Sequence, residues 1–104
     1  MYHPPSVTTF LTKAIRAGET ATISQRLSAA PEGLRVRYAG PPGLFEIEAM
    51  TVGAHSCLAG PEPVAAEGFE ALLPHSYPAG TEAICRVRNY GSEPATFVAI
   101  IASE

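Results

Sequence analysis

Short stretches in which apolar and polar residues alternate, each bounded by glycine or proline, constrain this fold most. In residues 34–38 the apolar side chains alternate with two arginines, and residues 83–88 alternate in the same way. A period of two places successive side chains on opposite faces of a β-strand. Nine glycines and ten prolines lie between such stretches and act as turn signals. The sequence therefore predicts an all-β fold, a β-sandwich or jelly roll of about six to eight strands.

Three further segments complete the predicted strands. Residues 20–27 alternate so that one face is mostly apolar, whereas residues 45–52 alternate only until the apolar phase shifts at Ala49 and Met50. Such a shift predicts a β-bulge, because one extra residue moves the pattern to the other face. Residues 96–102 are almost continuously apolar, which is typical of a strand covered on both faces.

The first 18 residues differ from the rest of the chain. Residues 3–5 contain two prolines, which lack the amide donor that a sheet interior requires. Residues 8–11 are compatible with a strand, and residues 13–16 with a turn of helix. We interpret residues 1–18 as an N-terminal arm, docked on the domain or on a neighbour. Residues 19–104 then form one β-sandwich domain, since a chain of this length suits a single core.

The chain carries few charges for its size. Charged residues make up 16%, against about 25% in ordinary soluble domains, while hydrophobic residues make up 46%. A small domain of this kind exposes apolar surface unless a neighbour covers it. We therefore expect copies of the chain or a larger shell protein as partners. The net charge of −3 argues against nucleic acid as the main partner. No membrane span is expected, because the longest apolar run is far shorter than about 20 residues.

Charged side chains occupy outward positions of the predicted strands. If these strands are neighbours in a sheet, arginine–glutamate pairs across them stabilise the fold by about 0.2–1 kcal/mol each. A solvated face with paired charges is one interpretation. A ligand-binding basic stripe and a charged contact between subunits are the alternatives. The candidates for cross-strand pairs are Arg35, Arg37, Glu46, Glu48, Arg86 and Arg88.

The residues that usually carry chemistry form no recognisable motif. The chain contains no aspartate, which excludes Asp-dependent triads and EF-hand loops. Cys57 and Cys85 allow at most one disulfide, and the alternation around Cys85 favours a buried thiol. His3, His55 and His75 fall in loop or arm segments, so a metal site or a Cys57–His55 nucleophile requires folding to bring them together. We expect no catalytic residue, no metal and no cofactor.

Two blocks of short motifs follow one another along the chain. The first consists of Phe45-Glu46-Ile47, Val52-Gly53-Ala54-His55-Ser56 and Val64-Ala65-Ala66 with Phe69. The second consists of Pro78-Ala79-Gly80, Val87-Arg88-Asn89 and Pro94-Ala95-Thr96-Phe97-Val98-Ala99. Over residues 34–102 their order resembles a group of small all-β structural proteins of bacteriophage particles. The chain departs from that group at His55-Ser56-Cys57, where polar residues of the Asn-Ser-Gln type would stand. The resemblance implies a shell or decoration subunit without enzymatic activity.

These observations predict a structural subunit of a phage virion, with a coat, vertex or decoration role and acting by self-assembly. Closed symmetric assemblies bury the apolar surface that one small copy leaves exposed. The candidate assembly contacts are Phe10, Leu11, Ile15, Tyr38, Tyr77 and Tyr90. The alternative is a small β-sandwich module that binds carbohydrate or protein through its loop tyrosines. A compact metal-dependent enzyme is the third hypothesis, but the chain lacks the expected cluster of His and Glu ligands.

Overall fold

The computed structural model describes residues 8–103, which form nine β-strands and no helix. The strands are β1 (Thr8–Ile15), β2 (Thr20–Arg26), β3 (Leu34–Tyr38), β4 (Phe45–Val52), β5 (His55–Ser56), β6 (Val64–Ala65), β7 (Glu70–Leu73), β8 (Glu82–Asn89) and β9 (Ala95–Ser103). The described part of the chain is thus all-β, as predicted.

The strands form two antiparallel sheets that enclose one core. The first, called the β1 sheet, has the strand order β1-β9-β3-β7. The second, called the β2 sheet, has the order β2-β8-β4-β5, with β6 also paired to β4. From β1 to β4, and again from β7 to β9, each successive strand crosses to the other sheet. This is the order of a jelly roll, so the predicted sandwich is confirmed.

The core lies between the sheets and follows the predicted alternation. In β8, Ala83, Cys85 and Val87 are buried, while the residues between them are exposed. Phe45 of the β2 sheet meets Phe97 of the β1 sheet edge to face, with ring centroids 5.4 Å apart. A contact of this geometry adds about 0.5–1.5 kcal/mol to the burial of the two rings. The aromatic pair therefore helps to hold the sheets together.

A β-bulge in β4 changes which of its later side chains face the core. The register of β4 against β8 shifts between Ile47 and Ala49, which makes Glu48 the extra residue. The predicted bulge is confirmed one residue before its expected place at Ala49 and Met50. Because of the shift, Ile47 and Met50 are both fully buried although they lie three residues apart.

Strand β9 is not covered on both faces, so that prediction is wrong. Phe97 and Ile101 lie in the core, but Val98 and Ile100 point to the opposite face and are only partly buried. The strand is central in its sheet, between β1 and β3. Its outward side chains are therefore shielded by neighbours in the same sheet and not by a third layer.

The predicted arm over residues 1–18 is wrong where the structure describes it. Strand β1 pairs with β9 along its whole length, and Leu11 and Ile15 enter the core. Residues 16–19 form the turn to β2, in which the Glu19 amide donates to the Arg16 carbonyl at 3.1 Å. The sandwich thus begins no later than residue 8. Residues 1–7, with His3, lie outside the described residues.

Asn89, at the end of β8, is the buried polar residue of the described core. Its Nδ2 donates to the carbonyls of Ile15 and Glu93, each at 2.9 Å. Its Oδ1 accepts from the Gly91 amide, also at 2.9 Å. One side chain thereby partners backbone groups at the end of β1 and in the β8–β9 loop, and such groups are costly to leave unpaired when buried.

Replacing this side chain tests how far that end of the sandwich depends on it. We expect Asn89→Ala to lower the free energy of unfolding by about 2–4 kcal/mol, because three backbone groups lose their partner. Urea denaturation followed by circular dichroism measures the change. The control is Ser92→Ala at an exposed position of the same loop, expected to change stability by under about 0.5 kcal/mol. Equal stability of the two variants would contradict the assigned role.

Candidate functional site

The outward side of the β1 sheet carries apolar side chains in register across its strands. The surface, here called the outer face, comprises Thr8, Phe10, Thr12, Arg35, Arg37, Glu70, Leu72, Val98, Ile100 and Ala102. One row across the sheet runs Phe10, Ile100, Arg37 and Glu70. The next runs Thr8, Ala102, Arg35 and Leu72. Directly opposed side chains lie about 4.5–5.5 Å apart at Cβ, so each row is a continuous surface.

Two large apolar side chains stand at the two edges of the outer face. Phe10 is 52% exposed and Leu72 is 58% exposed. Beside Leu72 an open groove of about 250 Å³ runs along the sheet edge. Its lining residues are Glu32, Leu34, Arg35, Leu72, Leu73 and Pro74. Phe10 adjoins Ile100 and Leu72 adjoins the groove, while Arg35 and Arg37 lie between these two apolar areas. The outer face therefore offers a partner two apolar areas separated by charged side chains.

The predicted charge pairs form only within a sheet. On the β2 sheet Arg86 Nε lies 3.0 Å from Glu48 Oε1, and Arg88 lies opposite Glu46. Arg35 and Arg37 belong to the β1 sheet and cannot reach these glutamates. Arg35 instead approaches Glu70, with Nη1 4.0 Å from Oε1. Both arginines and Glu70 are exposed and Glu48 is half-buried, so each pair adds little to stability, about 0–1 kcal/mol.

Only part of the predicted contact set is at the surface. Phe10 and Tyr90 are exposed, Tyr90 at 46%. Leu11, Ile15 and Tyr77 are buried in the core, so their assignment as assembly contacts is wrong. Tyr38 is half-buried against Phe97, with ring centroids 5.5 Å apart. The predicted contact set omits Leu72, which points outward from β7 next to the core residue Leu73. The sequence shows only two adjacent leucines there, and no alternation indicates which of them is exposed.

The fold brings together two histidines that lie 20 positions apart in the sequence. His55 and His75 stack with ring centroids 3.6 Å apart and planes 2° from parallel. The Tyr77 hydroxyl is in hydrogen-bond contact with His55 Nδ1 at 3.0 Å. An imidazole binds a metal in its ring plane, so two parallel planes do not converge on one ion. Within residues 8–103 no group of three His, Cys or Glu side chains is placed to hold a metal.

Cys85 lies in β8 and Cys57 directly follows β5, and both are free thiols. The Cys57 amide donates to the Met50 carbonyl, and Met50 lies opposite Cys85 in the register. The two cysteines are therefore two strand spacings apart, about 9.5 Å, beyond the ~7 Å limit for a disulfide. Burial raises the pKa of the Cys57 thiol to about 11. Burial, with a smaller contribution from Cys57, raises the pKa of Cys85 to about 12.

Comparison of the chain with protein-family models, with curated proteins and with solved structures finds no match. No helix among residues 8–103 is long and apolar enough to cross a membrane.

The raised pKa values predict unreactive thiols in the folded protein. At pH 8 a thiol with a pKa of about 11 is thiolate in only about one molecule in a thousand. We expect iodoacetamide to leave both cysteines unmodified in the native state and to modify both in urea, as measured by mass spectrometry. The melting temperature should be the same with and without reductant. Rapid labelling of Cys57 in the native state would contradict the predicted lack of reactivity. It would then support the hypothesis that Cys57 acts as a nucleophile with His55.

Proposed function

We propose that this protein is a structural subunit of a viral particle, with a coat, vertex or decoration role in the virion. The observation that carries the proposal is the outer face, on which Phe10 and Leu72 are each more than half exposed. The proposal assigns no reaction and no cofactor to the chain. Its action is to bind other subunits through this face.

The physical chemistry of a small jelly roll supports the proposal. A chain of 104 residues with 16% charged residues has little charge with which to cover its surface. On the outer face the row through Phe10 continues into Ile100 of the central strand β9. Burying apolar surface of this kind stabilises a contact by about 25 cal/mol per Å² before the cost of association. Repetition of one contact around a closed shell then covers the face on every copy.

The known uses of the fold agree with this proposal. Double-sheet jelly rolls serve as viral capsid proteins and also as lectin domains. Fold alone does not select between these uses. The net charge of −3 favours a position away from the packaged genome, since surfaces that bind nucleic acid are usually basic.

Reversing the polarity of the outer face tests the proposal. We expect the double substitution of Phe10→Glu and Leu72→Glu to weaken assembly by about tenfold or more, because charge replaces the apolar side chains that the proposed contact would cover. Light scattering and negative-stain electron microscopy of the purified chain measure assembly. The melting temperature should change by less than about 3 °C, since both side chains are exposed.

The control is Thr22→Glu, at an exposed position on the outward side of the β2 sheet. We expect it to assemble like the wild-type chain. The location in the virion is tested directly with an antibody against this chain. The antibody is applied to virus particles purified from a culture in which the chain is produced. Particles that never carry the chain would overturn the proposal.

A second candidate, a module that binds carbohydrate or protein, is favoured by one group of loop side chains. Tyr90 is exposed beside Tyr38, whose hydroxyl donates to the Pro41 carbonyl at 2.6 Å. Burial raises the pKa of Tyr38, and the nearby Glu67 and Tyr90 raise it further. An exposed aromatic face next to a carboxylate is a common way to bind a sugar or a peptide side chain.

Loss of the exposed ring tests this second candidate. If the chain is a binding module, the monomer should bind a member of a glycan array, and Tyr90→Ala should weaken that binding by about tenfold or more. Phe10→Glu, on the outer face, serves as the control and should bind normally. An empty array with well-folded protein counts against a glycan ligand.

A further inference from the structure

The four sheet edges of this sandwich differ in how well they are protected. On one flank, β7 has four residues and is followed by Pro74, while β5 and β6 have two residues each. On the other flank β1 has eight residues and β2 has seven, neither with a proline. Within residues 8–103 no strand pairs with the outer edge of β1 or β2. Proteins usually protect long open edges with prolines, bulges or several charges, and β1 carries only one such device, Lys13, so its edge is a lightly protected one that a further strand can reach.

The direction of the backbone groups on β1 follows from its neighbours. The Val98 carbonyl accepts from the Ala39 amide at 2.9 Å, so the backbone groups of Val98 face β3. Thr12 lies opposite Val98 in the β1–β9 register. Because the backbone groups of Val98 face β3, Thr12 and Val98 form a non-hydrogen-bonded pair, in which the backbone groups of both residues point away from each other. This direction alternates from residue to residue along an antiparallel strand. The N–H and C=O groups of Thr8, Phe10, Thr12 and Ala14 therefore face the open edge.

The β1 edge is more suited to pairing than the β2 edge. Phe10 stands on it with half of its surface exposed, beside Ile100 of β9. The outward residues of β2 are Thr20, Thr22, Ser24 and Arg26, all exposed and polar. A strand added to β1 gains apolar contact as well as backbone hydrogen bonds, whereas one added to β2 gains mainly the hydrogen bonds.

A second copy of the chain fits this edge because the edge is complementary to itself. Two β1 strands related by a two-fold axis are antiparallel, as the rest of the sheet is. Only registers that keep Leu11 and Ile15 of both copies on the core side are allowed, which requires the pairing to be centred on a residue. Centres at Leu11 and Thr12 pair seven residues, whereas centres at Phe10 and Lys13 pair five.

Charge is compatible with these two registers. Lys13 is the one charged residue within β1. With the centre at Leu11 it faces Thr9 of the second copy, and with the centre at Thr12 it faces Leu11 of the second copy. Two lysines oppose each other only in the shorter register centred on Lys13, which is disfavoured for that reason as well.

We propose that two copies of this chain join by antiparallel pairing of their β1 strands, which extends the four-stranded β1 sheet into one of eight strands. The pairing deepens the proposed function, and rests on it, by naming the first partner of a particle subunit as a second copy. It also places the apolar parts of the two outer faces side by side. A larger assembly can then use the joined face.

Proline at Thr12 removes an outward N–H and leaves the bonds between β1 and β9 in place. We expect wild-type chain and the matched control Thr12→Ala to form a dimer or larger species in analytical ultracentrifugation. Thr12→Pro should weaken self-association by about tenfold or more, because the two-fold axis doubles the loss. A monomeric wild-type chain, or a Thr12→Pro variant that associates as tightly as Thr12→Ala, would overturn the pairing.

A cross-linking experiment keeps the inference testable if the proline variant does not fold. Thr12→Cys should form a disulfide-linked dimer if the centre is Thr12. A mixture of Phe10→Cys and Thr12→Cys chains should cross-link to each other if the centre is Leu11. Thr22→Cys, at the equivalent edge position of β2, is the control and should stay monomeric under oxidant. Cross-linking at Thr22 alone, or at none of these positions, overturns the pairing.

These outcomes separate the pairing from the proposed function. A chain that labels virus particles but does not self-associate removes the pairing and leaves the structural role. A chain that dimerises through β1 but is missing from particles supports the pairing and removes the structural role. A monomer that binds a glycan instead identifies the binding module.

Discussion

Asn89 supplies polar contacts on which one end of the two-sheet packing depends. A jelly roll crosses from sheet to sheet at nearly every connection, so its turns pass over the ends of the core, where backbone groups must find partners. The Asn89 side chain binds the Ile15 carbonyl at the end of β1 and the backbone of the β8–β9 loop. Its own backbone amide donates to the Glu19 carbonyl in the β1–β2 connection. One buried amide therefore ties the end of β1 to the β8–β9 loop, while pairing with β9 and the burial of Leu11 and Ile15 hold the rest of the strand.

The architecture was largely predictable because most strands alternate cleanly. In β8 every second residue is buried, and the sequence pattern of residues 83–88 predicts this directly. The sequence pattern predicts an arm where the structure has β1, because an edge strand needs fewer apolar residues. Only Leu11 and Ile15 of its eight residues are buried. Their spacing of four matches a turn of helix as well as it matches alternate inward positions of a strand.

The candidate site was harder to predict than the fold. Apolar character identifies residues that avoid water, but it does not say which of them a core covers. Leu11 and Phe10 are neighbours of similar hydrophobicity, yet one is fully buried and the other is half exposed, because they point to opposite sides of the sheet. The stacking of His55 and His75 depends on strand β5 and the β7–β8 loop, which meet only in the folded chain. No local pattern carries that information, since the contact is set by strand order.

The unlinked sulfurs of Cys57 and Cys85 bear on the surroundings in which such a chain can work. A fold held by a covalent cross-link gains or loses stability as the redox poise changes. This fold is stabilised by buried side chains, hydrogen bonds and surface ion pairs, without a disulfide. A protein of this kind can fold in a reducing environment that contains glutathione and can later enter an oxidising one. Its folding stability stays the same in both.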